Sequence, residues 1–282
     1  MALRRVFFRK QNSSRQGFFS KIVSYQITKR QKFILMSFFL TVILFTIQTV
    51  PEALRFEIIG VLALVTLFLS MFSLWGELYG VKYFLLLLLP VYFVAGASLF
   101  YFLLPVRWLT RVPFAIVFGV SVYLLMLTSN IYNVAAIRTI ALLRAAHAVG
   151  VFFSLISTFF LANVLLSLHL EFYWAILGVV GIVLPLYLVG LWSYELEDFI
   201  SRRVFTYAVV FSYLTAQVAM VLSFWPIAPI NEALALATIM YVLLALAQFD
   251  FGGKIKPRVV WEHLGIAAAV FVVILVTTKW GG

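Results

Sequence analysis

Hydrophobic positions in this chain neither alternate with polar ones nor form one stripe of a polar helix. They come in long continuous runs, divided by short segments that carry charge, proline or tryptophan. Nine runs reach spanning length, at about 33–50, 57–75, 83–104, 113–129, 148–168, 173–192, 204–225, 232–249 and 261–279. A helix rising 1.5 Å per residue needs roughly 20 apolar residues to cross a hydrocarbon core about 30 Å thick. The pattern therefore predicts an all-α fold, a polytopic transmembrane bundle of about nine spans. Strands are disfavoured, because a membrane strand alternates and an open sheet edge in lipid leaves its backbone groups unpaired. The expected organisation is a tail over 1–32 and a single transmembrane helical domain over 33–282. The connections are too short for a second domain, and neighbouring helices are mostly antiparallel.

Tryptophan and proline give an independent check. Trp75, Trp108, Trp174, Trp192, Trp225, Trp261 and Trp280 all fall at or just beyond the end of a run. The indole ring prefers the headgroup interface, where one edge is wet and the body is dry. Six of the eight prolines sit at run boundaries. Pro90 and Pro185 lie inside runs and are expected to kink or break the third and sixth helices. Composition agrees with this picture. Of 282 residues, 65% are hydrophobic and 11% charged, against about 45–50% and about 25% in soluble domains.

The net charge of +11 sharpens the topology. Basic residues accumulate in cytoplasmic segments. The tail holds nine: Arg4, Arg5, Arg9, Lys10, Arg15, Lys21, Lys29, Arg30 and Lys32. With the tail inside, alternate loops add Lys82, Arg138, Arg144, Arg202, Arg203, Lys254, Lys256 and Arg258, for 17 in all. Arg55, Arg107, Arg111 and Lys279 make four outside. The expectation is a cytoplasmic N-terminus and an outside C-terminus, most naturally in a bacterial inner (plasma) membrane. The tail has no acid and several serines, so it also resembles a mitochondrial presequence, which makes a mitochondrial membrane the alternative. Phe18, Phe19, Ile22 and Val23 beside Lys21 read as a partly amphipathic segment resting on anionic cytoplasmic-leaflet lipids. The positive charge lies on one membrane face, so no nucleic-acid partner is expected. The bilayer and other membrane proteins are the expected partners.

The chemical inventory is sparse. There is no cysteine, which excludes disulfides, thiolate metal sites and cysteine nucleophiles. Walker A, GxGxxG, HExxH and GxSxG motifs do not occur, so neither nucleotide hydrolysis nor a common hydrolase site is expected. No cofactor, metal site or catalytic residue is assigned. The segment Glu195-Leu-Glu197-Asp198, followed by Arg202 and Arg203, resembles the Glu-Glu-xxx-Arg element of CAAX-type intramembrane proteases. It departs from that family downstream, where only His263 follows in place of paired intramembrane histidines.

Two polar segments remain as candidate sites. Residues 128–147, TSNIYNVAAIRTIALLRAAH, read as a helix too polar to cross alone. At 100° per residue, Asn130, Asn133, Arg144 and His147 fall on one face about 100° wide, with Arg138 apart. Such an amphipathic or polar-faced helix at about 130–147 either rests on the interface with its arginines reaching phosphates, or lines a cytoplasm-facing cavity. In the cavity, Arg144 and His147 would receive an anionic group beside Asn130, Asn133 and Arg138. That cavity would extend toward Ser212, Thr215 and Gln217. The second segment is a charged cluster, Glu195, Glu197, Asp198, Arg202 and Arg203, either solvated or closing as a latch against Arg138 or Arg144.

Three functions fit. The first is a small-molecule or lipid transporter of flippase type without an ATPase. The alternative is a non-catalytic membrane subunit or scaffold that packs against other membrane proteins. The third is an intramembrane lipid-modifying enzyme, which would need His147 or an acid within reach of a substrate phosphate.

Overall fold

The computed structural model describes residues 28–48, 50–74, 81–135, 141–253 and 256–278. Among the described residues are nine helices long and apolar enough to cross a membrane. They are α1 (Lys29–Ile47), α2 (Arg55–Ser73), α3 (Val81–Leu103), α4 (Trp108–Ala135), α5 (Leu143–Ser167), α6 (Phe172–Glu195), α7 (Arg202–Leu222), α8 (Pro229–Phe251) and α9 (Pro257–Thr277). One 3-10 turn, Glu52–Leu54, precedes α2. No strand occurs among the described residues. Each apolar run coincides with one helix, and the all-α, nine-span expectation holds.

Local chemistry explains several helix starts. Thr28 accepts from the Gln31 backbone N–H while the Gln31 side chain accepts from the Thr28 N–H, a reciprocal cap that begins α1. Lys29, Arg30 and Lys32, counted with the tail in the sequence, thus form the first turn of α1. Ser201 caps α7 by accepting from Val204 N–H at 3.1 Å. Pro229 and Pro257 open α8 and α9, where the missing N–H has no intrahelical partner to lose.

Pro90 and Pro185, expected to kink or break their helices, leave α3 and α6 continuous. Neighbouring helices and local backbone adjustment make such prolines tolerable in lipid. Trp192, in the last turn of α6, is fully buried and donates its indole N–H to the Glu197 carbonyl at 2.9 Å. The segment 130–147 is not one helix. Residues up to Ala135 close α4, Ala141 and Leu142 form a turn, and Leu143 opens α5. The angular register of a helical wheel does not carry through a turn, so the shared polar face does not exist as drawn.

The helices pack without a hydrophobic driving force between them, because lipid is as apolar as leucine. Close van der Waals contact takes its place. At the centre α5 packs against α3, α4, α6 and α8. Phe153 of α5 meets Phe93 edge-on at 5.2 Å between ring centres, and Phe160 stacks on Phe100 at 4.6 Å. Small residues allow the approach: a Cβ added at Gly178 would lie 2.6 Å from Leu165. Several hydroxyls inside spans are satisfied locally, with Ser154, Ser157 and Ser212 each donating to the carbonyl four residues back. α9 stands at the edge and leans on α8, with only 11% of its apolar stretch buried inside the protein.

Candidate functional site

The predicted site residues separate into three environments. Asn133 is buried in the bundle, and Asn130 is half-buried with its Oδ1 shut off from solvent and lacking a hydrogen-bond partner. Arg138 lies outside the described residues. Arg144 and His147, in the first turns of α5, line a cavity of about 460 Å³. The asparagines, which belong to α4, do not line it. The cavity also does not extend toward Ser212 and Thr215. Those residues are buried between α6 and α7, where the Tyr187 hydroxyl and Thr215 Oγ1 are hydrogen-bonded at 2.8 Å.

Instead the cavity opens between α5, α8 and α9. Tyr194 from α6, Tyr241 and Gln248 from α8, and His263 from α9 complete its polar lining. Both histidines are oriented by carbonyls. His147 Nε2 lies 2.6 Å from the Ser193 carbonyl, and His263 Nδ1 lies 2.8 Å from the Val259 carbonyl. A carbonyl only accepts, so each of these nitrogens carries a proton and donates. Aromatic rings hold the imidazoles in place. Tyr194 sits edge-on to His147 at 4.8 Å, and Tyr241 stacks on His263 at 5.5 Å. Arg144 is exposed and forms no ion pair among the described residues.

A second cavity, of about 610 Å³, adjoins the first and shares Phe152, Leu155 and Tyr241 with it. Its walls are apolar apart from Thr238 and Tyr241, with Phe159 and Phe160 of α5, Leu234 of α8 and Ile266 of α9 among them. Along α5 the lining runs from Arg144 to Phe160; along α8 it runs the opposite way, from Gln248 to Leu234; along α9 it runs from His263 to Val270. The two cavities are successive parts of one groove. Its polar end lies at the first turns of α5, and its apolar end lies further along the same helices, open to the outside at Phe152, Leu234 and Ile266.

The charged cluster is dispersed. Arg203 pairs not with the loop acids but with Asp250 at the end of α8, where the Tyr207 hydroxyl also donates to Asp250 at 2.7 Å. The Arg203 guanidinium lies over Phe251 at 4.3 Å. Phe251 contacts Tyr194, which contacts His147, so the ion pair borders the polar end of the groove. The Glu195 carboxylate has a buried oxygen with no hydrogen-bond partner. Arg202 and Glu197 are exposed and contribute nothing to the groove, and Asp198 is exposed in the loop. Among the described residues no group of three or more acids and histidines converges in a way that would hold a metal ion.

Sequence reasoning missed Tyr241, Gln248 and His263. The spacing of Tyr241, Ala245 and Gln248, four and then three residues, marks one helix face. Only the contact of α5 with the distant α8 shows which face matters.

Residues 181–277 match the model of a family described as "Protein of unknown function (DUF5656)". The match begins within α6 and ends with α9, so it takes in Tyr194, Tyr241, Gln248 and His263 but neither Arg144 nor His147. No curated protein and no solved structure matches the chain.

Proposed function

We propose that this multi-pass membrane protein is a lipid transporter of flippase type, without an ATPase of its own, which takes an amphiphile into the groove between α5, α8 and α9. One observation carries the reading: a polar cavity and an apolar one lie end to end along the same three helices. Arg144 and Phe160 are sixteen residues apart, about 24 Å at 1.5 Å per residue, in a hydrocarbon core about 30 Å thick. A groove with that polarity gradient suits a headgroup at one end and a hydrocarbon chain along the other. Lining side chains such as Phe152 and Ile266 are also open to the outside, at 56% and 46% exposure, which gives a lipid a lateral way in. The asymmetry of 17 basic residues against four supports a bacterial inner membrane with the polar end on the cytoplasmic side. On that reading the basic tail holds anionic lipids of the same leaflet.

The test is transbilayer movement in liposomes containing the purified protein and a headgroup-labelled fluorescent lipid, read by quenching from outside. Protein-dependent movement is expected, and it should fall in Ile266→Trp, which fills the groove from an exposed position. No movement above protein-free liposomes, or equal rates in the wild type and Ile266→Trp, would overturn the reading.

A second reading, a non-catalytic subunit, has one observation in its favour. Most of α9 faces outward, with Trp261 73% and Val276 80% exposed. It is distinguished by recovery of a stoichiometric membrane-protein partner together with inert liposomes.

A further inference from the structure

We propose that the polar end of the groove is a site for a phosphomonoester, so that the amphiphile is a lipid ending in a single phosphate. The inference rests on the groove reading above and names the headgroup.

The first argument is charge. Among the described residues the polar cavity is lined by one fixed cation, Arg144, two imidazoles, His147 and His263, and the neutral hydrogen-bonding groups Tyr194, Tyr241 and Gln248. No carboxylate lines either cavity among the described residues. Arg144 has no ion-pair partner there, and its planar fork matches two phosphate oxygens. A cationic headgroup would meet a fixed like charge and no carboxylate to offset it.

The second argument is proton inventory, and it separates a phosphomonoester from other anions. His147 and His263 each commit one ring N–H to a main-chain carbonyl, at 2.6 and 2.8 Å. The remaining nitrogen of each ring is an acceptor while the ring is neutral and a donor once it takes a second proton. A ligand suited to such a pair is one that can itself both donate and accept. The second ionisation of a phosphomonoester falls near pH 6, so both its P–OH form and its dianion are available. Its P–OH can donate to a neutral imidazole, or its dianion can accept from an imidazolium, and one proton serves either arrangement. A phosphodiester or a carboxylate brings no proton of its own, so it pairs only with a ring that has taken a second proton, whereas a monoester pairs with either form of the ring. A zwitterionic headgroup would also leave its ammonium without an anionic partner.

The third argument is source. Free phosphate would satisfy the polar cavity but would make no use of the adjoining 610 Å³ of apolar volume. A hydrocarbon chain joined to the phosphate fills both parts.

The experiment is lipid binding to the full-length protein in nanodiscs, followed by native mass spectrometry. The probes are phosphatidic acid (a monoester), phosphatidylglycerol (a diester of similar chain length), diacylglycerol and inorganic phosphate. Phosphatidic acid is expected to bind at least about tenfold more tightly than phosphatidylglycerol, the scale set by hydrogen bonds to charged groups. Arg144→Gln should weaken both anionic lipids. His147→Gln together with His263→Gln should remove the preference between them and leave phosphatidylglycerol binding in place, an outcome a merely structural role would not give. Arg144→Lys keeps the charge and should retain part of the affinity, which separates ligand loss from misfolding. Equal binding of monoester and diester would overturn the phosphomonoester assignment while leaving the amphiphile groove standing. Inorganic phosphate competing as well as phosphatidic acid would overturn the lipid source. Failure of every lipid, diacylglycerol included, to bind better to the wild type than to Ile266→Trp would overturn the groove itself.

Discussion

At the scale of single residues the site depends on one close approach between α4 and α5. Tyr132 donates its hydroxyl to the Ala146 carbonyl at 2.9 Å, and its ring lies 5.7 Å from that of His147. The geometry requires glycine at position 150, because an added Cβ there would lie 2.3 Å from the Tyr132 hydroxyl oxygen. The tyrosine ring is rigid and its hydroxyl is held at a buried carbonyl, so the clash must move the ring or separate the helices. Gly150→Ala is therefore expected to lower stability by about 1–3 kcal/mol, the usual cost of overpacking. Tyr132→Phe removes only the hydrogen bond and should cost about 0.6 kcal/mol, the average for side-chain hydrogen bonds in a membrane protein. Thermal unfolding in detergent compares the two, and a Tyr132→Phe loss larger than that of Gly150→Ala would contradict this packing account. None of this was legible in the sequence. Gly150 stands in an ordinary apolar run, and the polar look of 128–147 pointed to Asn130 and Asn133 in its place. A wheel drawn through the turn at Ala141 and Leu142 joined residues that the fold assigns to different helices.

At the scale of elements the hydropathy pattern carried far, because each span is apolar for its own reason and needs no partner to declare it. All nine runs became helices, and the polar ends, caps and prolines fixed their bounds to within a few residues. Which helices meet is a different kind of information. The groove depends on α5 packing on α8, about 80 residues later in the chain, and on α9 leaning against α8; hydropathy does not encode either choice. The edge position of α9 has a testable consequence. The main buried cluster contains no residue of α9, and its packing centres on a small patch formed by Ile274 with Leu222 and Ala235. A chain shortened to end at Gly253 should therefore keep a cooperative unfolding transition close to that of the full protein, while losing the wall that carries His263, Ile266 and Val270. Retained lipid binding by the shortened chain would show that α8 and α5 suffice for the groove. Collapse of the remaining eight helices would show that α9 supports more of the bundle than its sparse packing implies.

At the scale of the whole molecule, the bundle is polarised along its axis, and on the lipid-groove proposal this sets which leaflet the groove would serve. One end carries Arg144, the Arg203–Asp250 pair and Arg258; the other carries Arg55, Arg107 and Arg111, with Arg111 donating to Gln48. On the positive-inside rule, the count of 17 basic residues against four leads us to expect the first end in the cytoplasm. The absence of cysteine makes the assignment simple to test, since a single introduced thiol is the only one in the chain. Phe199→Cys, in the loop after α6, and Leu109→Cys, at the start of α4, both replace exposed side chains, at 61% and 90% exposure. Neither change disturbs the core. With a membrane-impermeant thiol reagent, Leu109→Cys should react on intact cells, and Phe199→Cys only after permeabilisation. The reverse pattern would turn the molecule over, so that the groove loads from the outer leaflet and the basic residues face outward. The headgroup chemistry of Arg144, His147 and His263 would be unchanged by such a reversal, because it depends on side-chain geometry within the groove.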